Sequence, residues 1–180
     1  YHLADLERAE SCHQEALDLA RQAGRVDIEA YQLSDLGNVA RRRGDLADAH
    51  SLHHQGLSLK RGLGDHRRIA ISLEDLAALA VAEGHFAMAT RWLGAASELR
   101  ARIGAPLPLP ERVAAEQTVA AARAAMSELE WTTEFSDGQR RPLADVLAEA
   151  LGECVAPAEP NEPETDPNTP VQIGSSAARW

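Results

Sequence analysis

Apolar residues recur along this chain with the spacing of one helix face. Leu33, Leu36 and Ala40 fall at i, i+3 and i+7, which places them on one side of an α-helix. Gly44 follows and is expected to end this helix, because glycine is favoured just after a helix C-terminus. Asp45 is then placed to cap the start of a second helix. The pattern therefore predicts a pair of helices joined by a Gly-Asp turn.

The same pattern returns after 40 residues, without a gap. Residues 5–24, 45–64 and 85–104 align at this offset. The coinciding residues are Ala9, Ala49 and Ala89, then Leu19, Leu59 and Leu99, then Gly24, Gly64 and Gly104, and between these segments Leu33 with Leu73, Leu36 with Leu76, Ala40 with Ala80 and Gly44 with Gly84. One short helix pair cannot bury its apolar stripe alone, whereas stacked pairs can. We therefore predict an all-α protein, a right-handed α-solenoid of helix pairs.

The predicted organisation has three parts: repeats over 1–104, a helical capping segment over 105–152, and a disordered Pro/Glu-rich tail over 153–180. Tyr1–Ala4 align with the end of a first helix, so the first repeat is expected to be truncated and its second helix to expose an apolar flank. The predicted helices are about 5–23, 27–43, 45–62, 66–83, 85–103, 110–129, 128–136 and 142–152. A turn is expected at Asp137-Gly138.

The stretch LSDLGNVARRRGDLADAHSLHHQG resembles the tetratricopeptide repeat family. The residues that carry the resemblance are Leu33, Leu36-Gly37, Ala40, Gly44-Asp45, Leu46, Ala49 and Gly56. The chain departs from the family in its period, 40 rather than about 34 residues, and in lacking the proline after the second helix. Both departures point to the longer-helix variety found in large bacterial regulators.

A second stretch, residues 91–151, resembles the closing segment of the tetratricopeptide region in actinobacterial ATPase-type transcriptional regulators of the LuxR and SARP kinds. The matching residues are Trp92-Leu93-Gly94-Ala95-Ala96, Gly104-Ala105-Pro106, the Ala-rich helix to Leu129, and Pro142-Leu143. The resemblance implies a regulatory or protein-interaction region that senses a partner or a small ligand. The alternative is a free-standing adaptor without an output domain.

In tetratricopeptide folds the first helix of each pair lines a concave groove. Carried over to this sequence, the groove positions are Tyr31, Ser34, Asn38, Arg41 and Arg42, then Ile71, Glu74 and Ala78. Asn38 matches the asparagine with which some members hold peptide backbone, but Ser34 and Glu74 stand where a peptide-carboxylate clamp needs lysines. Arg41 and Arg42 are candidates for pairing with an acidic peptide or carboxylate ligand. The alternative is that these arginines only solubilise a helix end and complement its dipole.

Charge and composition narrow the classes of partner. The net charge is −10, so we expect no direct contact with nucleic acid or with an anionic membrane. Aromatic residues make up 4% of the chain, which favours closely packed helices over sheets. No apolar run approaches the length of a membrane span. Cys12 and Cys154 lack metal-type spacing and are expected to be free thiols in a reducing cytoplasm. A protein or peptide, or a small-molecule effector, is the expected partner.

Catalytic and cofactor motifs are missing from the sequence. The only lysine, Lys60, lacks the glycines of a phosphate-binding loop, and GxSxG, HExxH and CxxC do not occur. His50 and His54 lie one helical turn apart and suit a soft metal. The interpretation we favour is that His53 fills a packing position while His50 and His54 face solvent. We therefore expect no enzyme, no cofactor and no metal site.

Overall fold

The structure of the protein is a computed structural model that describes residues 3–153. All the regular elements in this range are α-helices, as the sequence predicts. They are α1 (Leu3–Gln22), α2 (Val26–Arg43), α3 (Leu46–Leu63), α4 (His66–Ala82), α5 (Phe86–Ile103), α6 (Leu109–Ala124), α7 (Glu128–Arg140) and α8 (Leu143–Ala150). The predicted tail lies outside the described residues, apart from Glu153.

As far as α5 the helices pack on their neighbours in sequence: α1 on α2, α2 on α3, α3 on α4 and α4 on α5; beyond this point α7 packs on α5. One apolar core runs from α2 through α8, and it includes the fully buried Leu57, Leu73 and Leu76. Burial of each such leucine contributes about 1.5–3 kcal/mol. Ala49 and Ala89 are also fully buried, which allows the paired helices to approach closely. A second, smaller apolar cluster of Leu17, Leu33 and Leu36 joins α1 to α2.

The Gly-Asp turn after α2 forms as predicted, although its capping differs. Gly44 takes the left-handed conformation with φ of 90°, and the Asp45 N–H donates to the Ala40 carbonyl at 2.9 Å. The prediction that the Asp45 side chain caps α3 is wrong, because it makes no capping hydrogen bond and instead pairs with Arg43 Nε at 3.2 Å. Asp65 does cap the next helix, accepting the Arg68 N–H at 3.1 Å.

Helix α1 differs from the prediction at its start. It begins at Leu3, so Leu3 and Ala4 continue this helix and do not end an earlier one. Leu6, Leu17 and Ala20 are buried, whereas Leu3 and Leu19 are 72% and 64% exposed. Leu3 and Leu19 lie on nearly opposite sides of the helix, so the expected apolar flank stays a prediction.

The predicted turn at Asp137-Gly138 is wrong. Helix α7 runs unbroken to Arg140, and Gly138 is buried against α5. A Cβ built on Gly138 would overlap the Arg91 carbonyl oxygen, and one on Gly94 would overlap the Phe135 carbonyl oxygen. The two glycines thus allow the backbones of α5 and α7 to touch.

Helix α6 ends at Ala124, earlier than predicted, because Ser127 starts α7. The Ser127 hydroxyl accepts the Glu130 N–H at 3.2 Å, and the Glu130 carboxylate accepts the Ser127 N–H at 2.8 Å. This reciprocal capping box satisfies two backbone donors at the start of α7. Ala-rich sequence continues up to this point, which hides the boundary.

Candidate functional site

Three contacts join α2 to α4, the two helices that carry the predicted groove residues. Asn38 Nδ2 donates to Asp75 Oδ1 at 3.0 Å. Arg68 donates to the Asp27 carbonyl at 2.7 Å, and its guanidinium carbon lies 5.6 Å from the centre of the Tyr31 ring. We call the surface formed by Tyr31, Asn38 and Arg41 of α2, with Ile71 and Asp75 of α4, the inner face.

The structure separates the predicted groove residues into accessible and engaged ones. Tyr31 is 48% exposed and Arg42 is exposed, while Asn38, Arg41, Ile71 and Ala78 are half-buried. Ser34 is buried, so it belongs to the wall beneath the inner face and is not a surface contact. Glu74 is bound by Arg100 Nε at 2.6 Å and by Arg100 Nη2 at 2.7 Å. The resemblance gave Ser34 and Glu74 as groove positions, but Ser34 is buried and Glu74 is already paired with Arg100.

Lys60 is the polar residue that sequence reasoning missed. It comes from α3 and is only 1% exposed. Its ammonium donates to Ser34 Oγ of α2 at 2.6 Å and to Ser72 Oγ of α4 at 2.7 Å. Lys60 therefore lies between α2 and α4, directly below the inner face. A signal was present: position 60 continues the stripe formed by Ala49, His53 and Gly56, which is the buried side of α3.

Burial sets the charges around Lys60. It lowers the pKa of Lys60 to about 8, against the opposing effect of Asp75 and Asp35. Burial also raises the pKa of Asp75 to about 6, although the Asn38 hydrogen bond and Lys60 favour its ionised form. The pKa of Asp35 is raised for the same reason, with His13 and Lys60 acting in the other direction. At pH 7 the Lys60 ammonium and the Asp75 carboxylate are thus both mainly charged, although burial disfavours each charge.

We expect Asp75 to stabilise the folded protein increasingly as the pH falls from about 6 toward 4. The pKa of Asp75 is about 6 in the folded protein, whereas an ordinary aspartate, as in the unfolded chain, has a pKa of 3.8. Between these values the folded chain holds a proton that the unfolded chain lacks. The contribution is complete below about 3.8 and is lost as the pH rises through about 6. It amounts to up to about 3 kcal/mol, because each pKa unit corresponds to about 1.4 kcal/mol.

The measurement compares wild-type protein with Asp75→Asn by urea unfolding at pH 4.5 and pH 7. Wild type should gain stability relative to the variant at the lower pH. Asp35 and Glu74 remain in both proteins and cancel in the comparison. A difference that stays constant across this range would contradict the raised pKa.

The next helix pair contains a related arrangement at the equivalent positions. Arg100 lies 40 residues after Lys60, and Glu74 lies 40 residues after Ser34. Arg100 is also buried, forms a two-point ion pair with Glu74, and donates to the Ala105 carbonyl at 3.2 Å. A buried cation therefore faces a hydroxyl in one helix pair and a carboxylate in the next.

Arg41 is a half-buried cation on α2, beside Asp75. Its Nε is buried and has no hydrogen-bond partner among residues 3–153. Burial lowers the pKa of Arg41, against the effect of Asp75. Arg41 and Asn38 lie one turn apart on α2 and both reach the inner face. The arrangement offers a guanidinium with unused hydrogen-bonding capacity beside a fixed amide.

Four histidines form a separate cluster on α3 and the α4–α5 turn. His53 is fully buried, as predicted, and burial lowers its pKa to about 3, so it stays neutral. The prediction that His50 and His54 face solvent is wrong: both are half-buried, and His50 Nε2 lies 3.0 Å from Glu83 Oε2. His85 Nδ1 lies 3.5 Å from the same oxygen. Within residues 3–153, no three or more His, Cys, Asp or Glu side chains are grouped so that they could hold a metal ion.

A cavity of about 580 Å³ lies between the start of α5 and the α6–α7 turn. Phe86, Met88 and Met126 give it apolar walls. Arg91 borders it and is held by Glu134 at 2.6 Å and by Glu149 at 3.0 Å. Since its one cation is already paired with two carboxylates, this cavity offers less to a charged ligand than the inner face does.

No family model, curated protein or solved structure matches this chain. None of the helices in residues 3–153 combines the length and apolar character needed to cross a membrane. The contacts of the inner face are therefore the observations that bear most directly on function.

Proposed function

We propose that the chain is a protein-interaction scaffold that binds an acidic peptide segment on its inner face. The observation that carries this proposal is the half-buried Arg41, whose Nε is buried and has no partner within the described residues. A guanidinium recognises a carboxylate through paired, charge-assisted hydrogen bonds. An acidic side chain of a bound peptide supplies such a partner.

The neighbours of Arg41 suit an extended segment of peptide. Tyr31 contributes an exposed aromatic ring, and Ile71 contributes a half-buried apolar side chain on the adjacent helix. The hydrogen bond from Asn38 to Asp75 fixes the orientation of the Asn38 amide. An extended peptide has free backbone N–H and C=O groups, which such an amide can pair with, whereas a helix satisfies these groups internally.

The wider context follows from the two resemblances. We infer a right-handed tetratricopeptide-like solenoid with a 40-residue period, which forms a non-enzymatic regulatory region of a bacterial transcriptional regulator or signalling ATPase in the cytoplasm. A free-standing adaptor is the alternative. The parent reading frame separates the two, because a nucleotide-binding domain and a DNA-binding or cyclase domain encoded upstream of Tyr1 would support the regulator.

The groove proposal predicts that Arg41→Gln weakens binding of an acidic peptide by about tenfold, since a hydrogen bond to a charged group contributes about 1.5–3 kcal/mol. The probe is a fluorescein-labelled hexaglutamate peptide at low salt, followed by anisotropy, with hexaglutamine as the neutral comparison. Arg8→Gln, which removes an exposed arginine from α1, is the matched control.

Wild-type protein should bind hexaglutamate and not hexaglutamine, and Arg8→Gln should bind like wild type. If wild type fails to bind hexaglutamate, the acidic-peptide proposal is wrong. If Arg41→Gln and Arg8→Gln weaken binding equally, general charge attraction is responsible and the inner face is not the site.

A further inference from the structure

The two buried cations differ in what neutralises them. Arg100 is paired with the Glu74 carboxylate of its own helix pair at 2.6 and 2.7 Å. Lys60 instead donates to two hydroxyls, those of Ser34 and Ser72. Hydroxyl dipoles stabilise an ammonium but do not cancel its charge. We call Lys60 with Ser34 and Ser72 the Lys60 node, and Arg100 with Glu74 the Arg100 node.

The acidic residues closest to Lys60 do not form ion pairs with it. Within residues 3–153, no carboxylate oxygen lies within 4 Å of its ammonium. Asp75 accepts the Asn38 hydrogen bond, and Asp35 lies 3.7 Å from His13. The other charged groups that act on Lys60 are Arg68 and Asp65. The charge of the Lys60 node is therefore only partly offset, in surroundings that screen it less than water does.

This charge lies on the same side of α2 as Arg41. Ser34, Asn38 and Arg41 follow at i, i+4 and i+7, so Lys60 lies beneath one end of the strip and Arg41 stands at the other. Seven residues of helix span about 10 Å. A carboxylate resting on this strip lies within range of both cations.

We propose that Ser34 determines the charge preference of the inner face. Because the Lys60 node lacks the carboxylate that the Arg100 node has, its ammonium, together with Arg41, attracts a carboxylate of the bound peptide to the strip between positions 34 and 41. In the next helix pair, α4 with α5, Glu74 neutralises Arg100, so this pair does not attract an acidic group. This inference rests on the proposed function and identifies the residues that give the peptide site its selectivity.

The deciding variant is Ser34→Glu, which copies the Arg100 node onto the Lys60 node. Gly56 packs against Ser34, since a Cβ built on Gly56 would lie 3.0 Å from Ser34 Oγ, and Ala96 stands at the equivalent position 40 residues later. Glu at position 34 supplies Lys60 with a carboxylate of its own helix pair. We expect binding of hexaglutamate to weaken about tenfold, with helical circular dichroism and the unfolding temperature unchanged or raised.

The matched control is Ala78→Glu. Position 78 is half-buried on α4 and is equivalent to Asn38, so this variant adds the same charge to the inner face without reaching the Lys60 node. Ala78→Glu should weaken binding clearly less than Ser34→Glu does. An equal loss in the two variants would overturn the inference, because any added negative charge would then suffice.

Lys60→Met tests the cation itself and decides the question if Ser34→Glu does not fold. Methionine keeps the length of the side chain, and an apolar replacement of a buried charge is often tolerated. We expect the same tenfold loss, with Lys60→Arg keeping wild-type affinity. If wild type binds hexaglutamate and Lys60→Met binds it equally well, this inference falls while the proposed function stands. If wild type does not bind hexaglutamate, the proposed function falls first.

Discussion

Replacing Gly138 by alanine is expected to lower the free energy of unfolding by about 3 kcal/mol. The added methyl group would overlap the carbonyl oxygen of Arg91, which is backbone and cannot rotate away. Helix α7 must then move off α5, and the core residues beneath it, among them Trp131, lose part of their packing. The loss is large because the obstacle is a helix and not a flexible side chain.

Urea unfolding of Gly138→Ala beside Gly62→Ala tests this expectation. Gly62 also lies inside a helix, but no atom lies within 4 Å of a Cβ built there. Alanine at 62 should stabilise the protein by about 0.5–1 kcal/mol, because alanine favours helix more than glycine does. Similar stability changes in the two variants would show that α5 and α7 are not in backbone contact.

Replacing Arg100 by methionine is expected to cost about 3 kcal/mol. The change leaves Glu74 as a largely buried carboxylate without its partner, which is expensive since the charge has been removed from water. The double variant Arg100→Met with Glu74→Met removes both charges and should recover most of the loss. Recovery of this kind separates the cost of an unpaired charge from the cost of lost packing.

Lys60→Met provides the contrast at the equivalent position. Its partners are hydroxyls, and Ser34 Oγ also lies 3.5 Å from the Ala30 carbonyl, so it retains an acceptor when the ammonium is gone. We expect the unfolding free energy of Lys60→Met to stay within about 1 kcal/mol of wild type. The three variants are compared by urea unfolding at pH 7. A loss in Lys60→Met as large as that in Arg100→Met would contradict the difference between the two nodes.

Much of the helical architecture could be predicted because its signals are local. The stripe of Leu33, Leu36 and Ala40 and the stop at Gly44 fix α2 to within a residue or two. The capping segment over 105–152 was less predictable, because there the local signals mislead. A glycine after an aspartate is locally a turn signal, and only the distant backbone of α5 explains why Gly138 lies within a helix. The Ser127 boundary was hidden by alanine-rich sequence on its N-terminal side.

The surface residues of the candidate site could be predicted, but the buried polar residues beneath them could not. The resemblance placed Tyr31, Asn38 and Arg41 on one helix, and the structure sets them beside α4. Ser34 was predicted as a surface contact and Lys60 was given no structural role, because hydroxyls and ammonium groups are usually exposed. Their burial depends on the fit between three helices, which no single helical pattern contains.

The relation between the Lys60 and Arg100 nodes separates shape from selectivity. Leu33 and Leu73 are the same residue at equivalent packing positions, as are Ala49 and Ala89, whereas positions 34 and 74 differ in charge. Duplication followed by substitution at inward positions such as 34 and 74 would leave the stacking of the units intact. A longer array built in this way would keep the same helix packing, while the charge preference of its surface differed from one helix pair to the next.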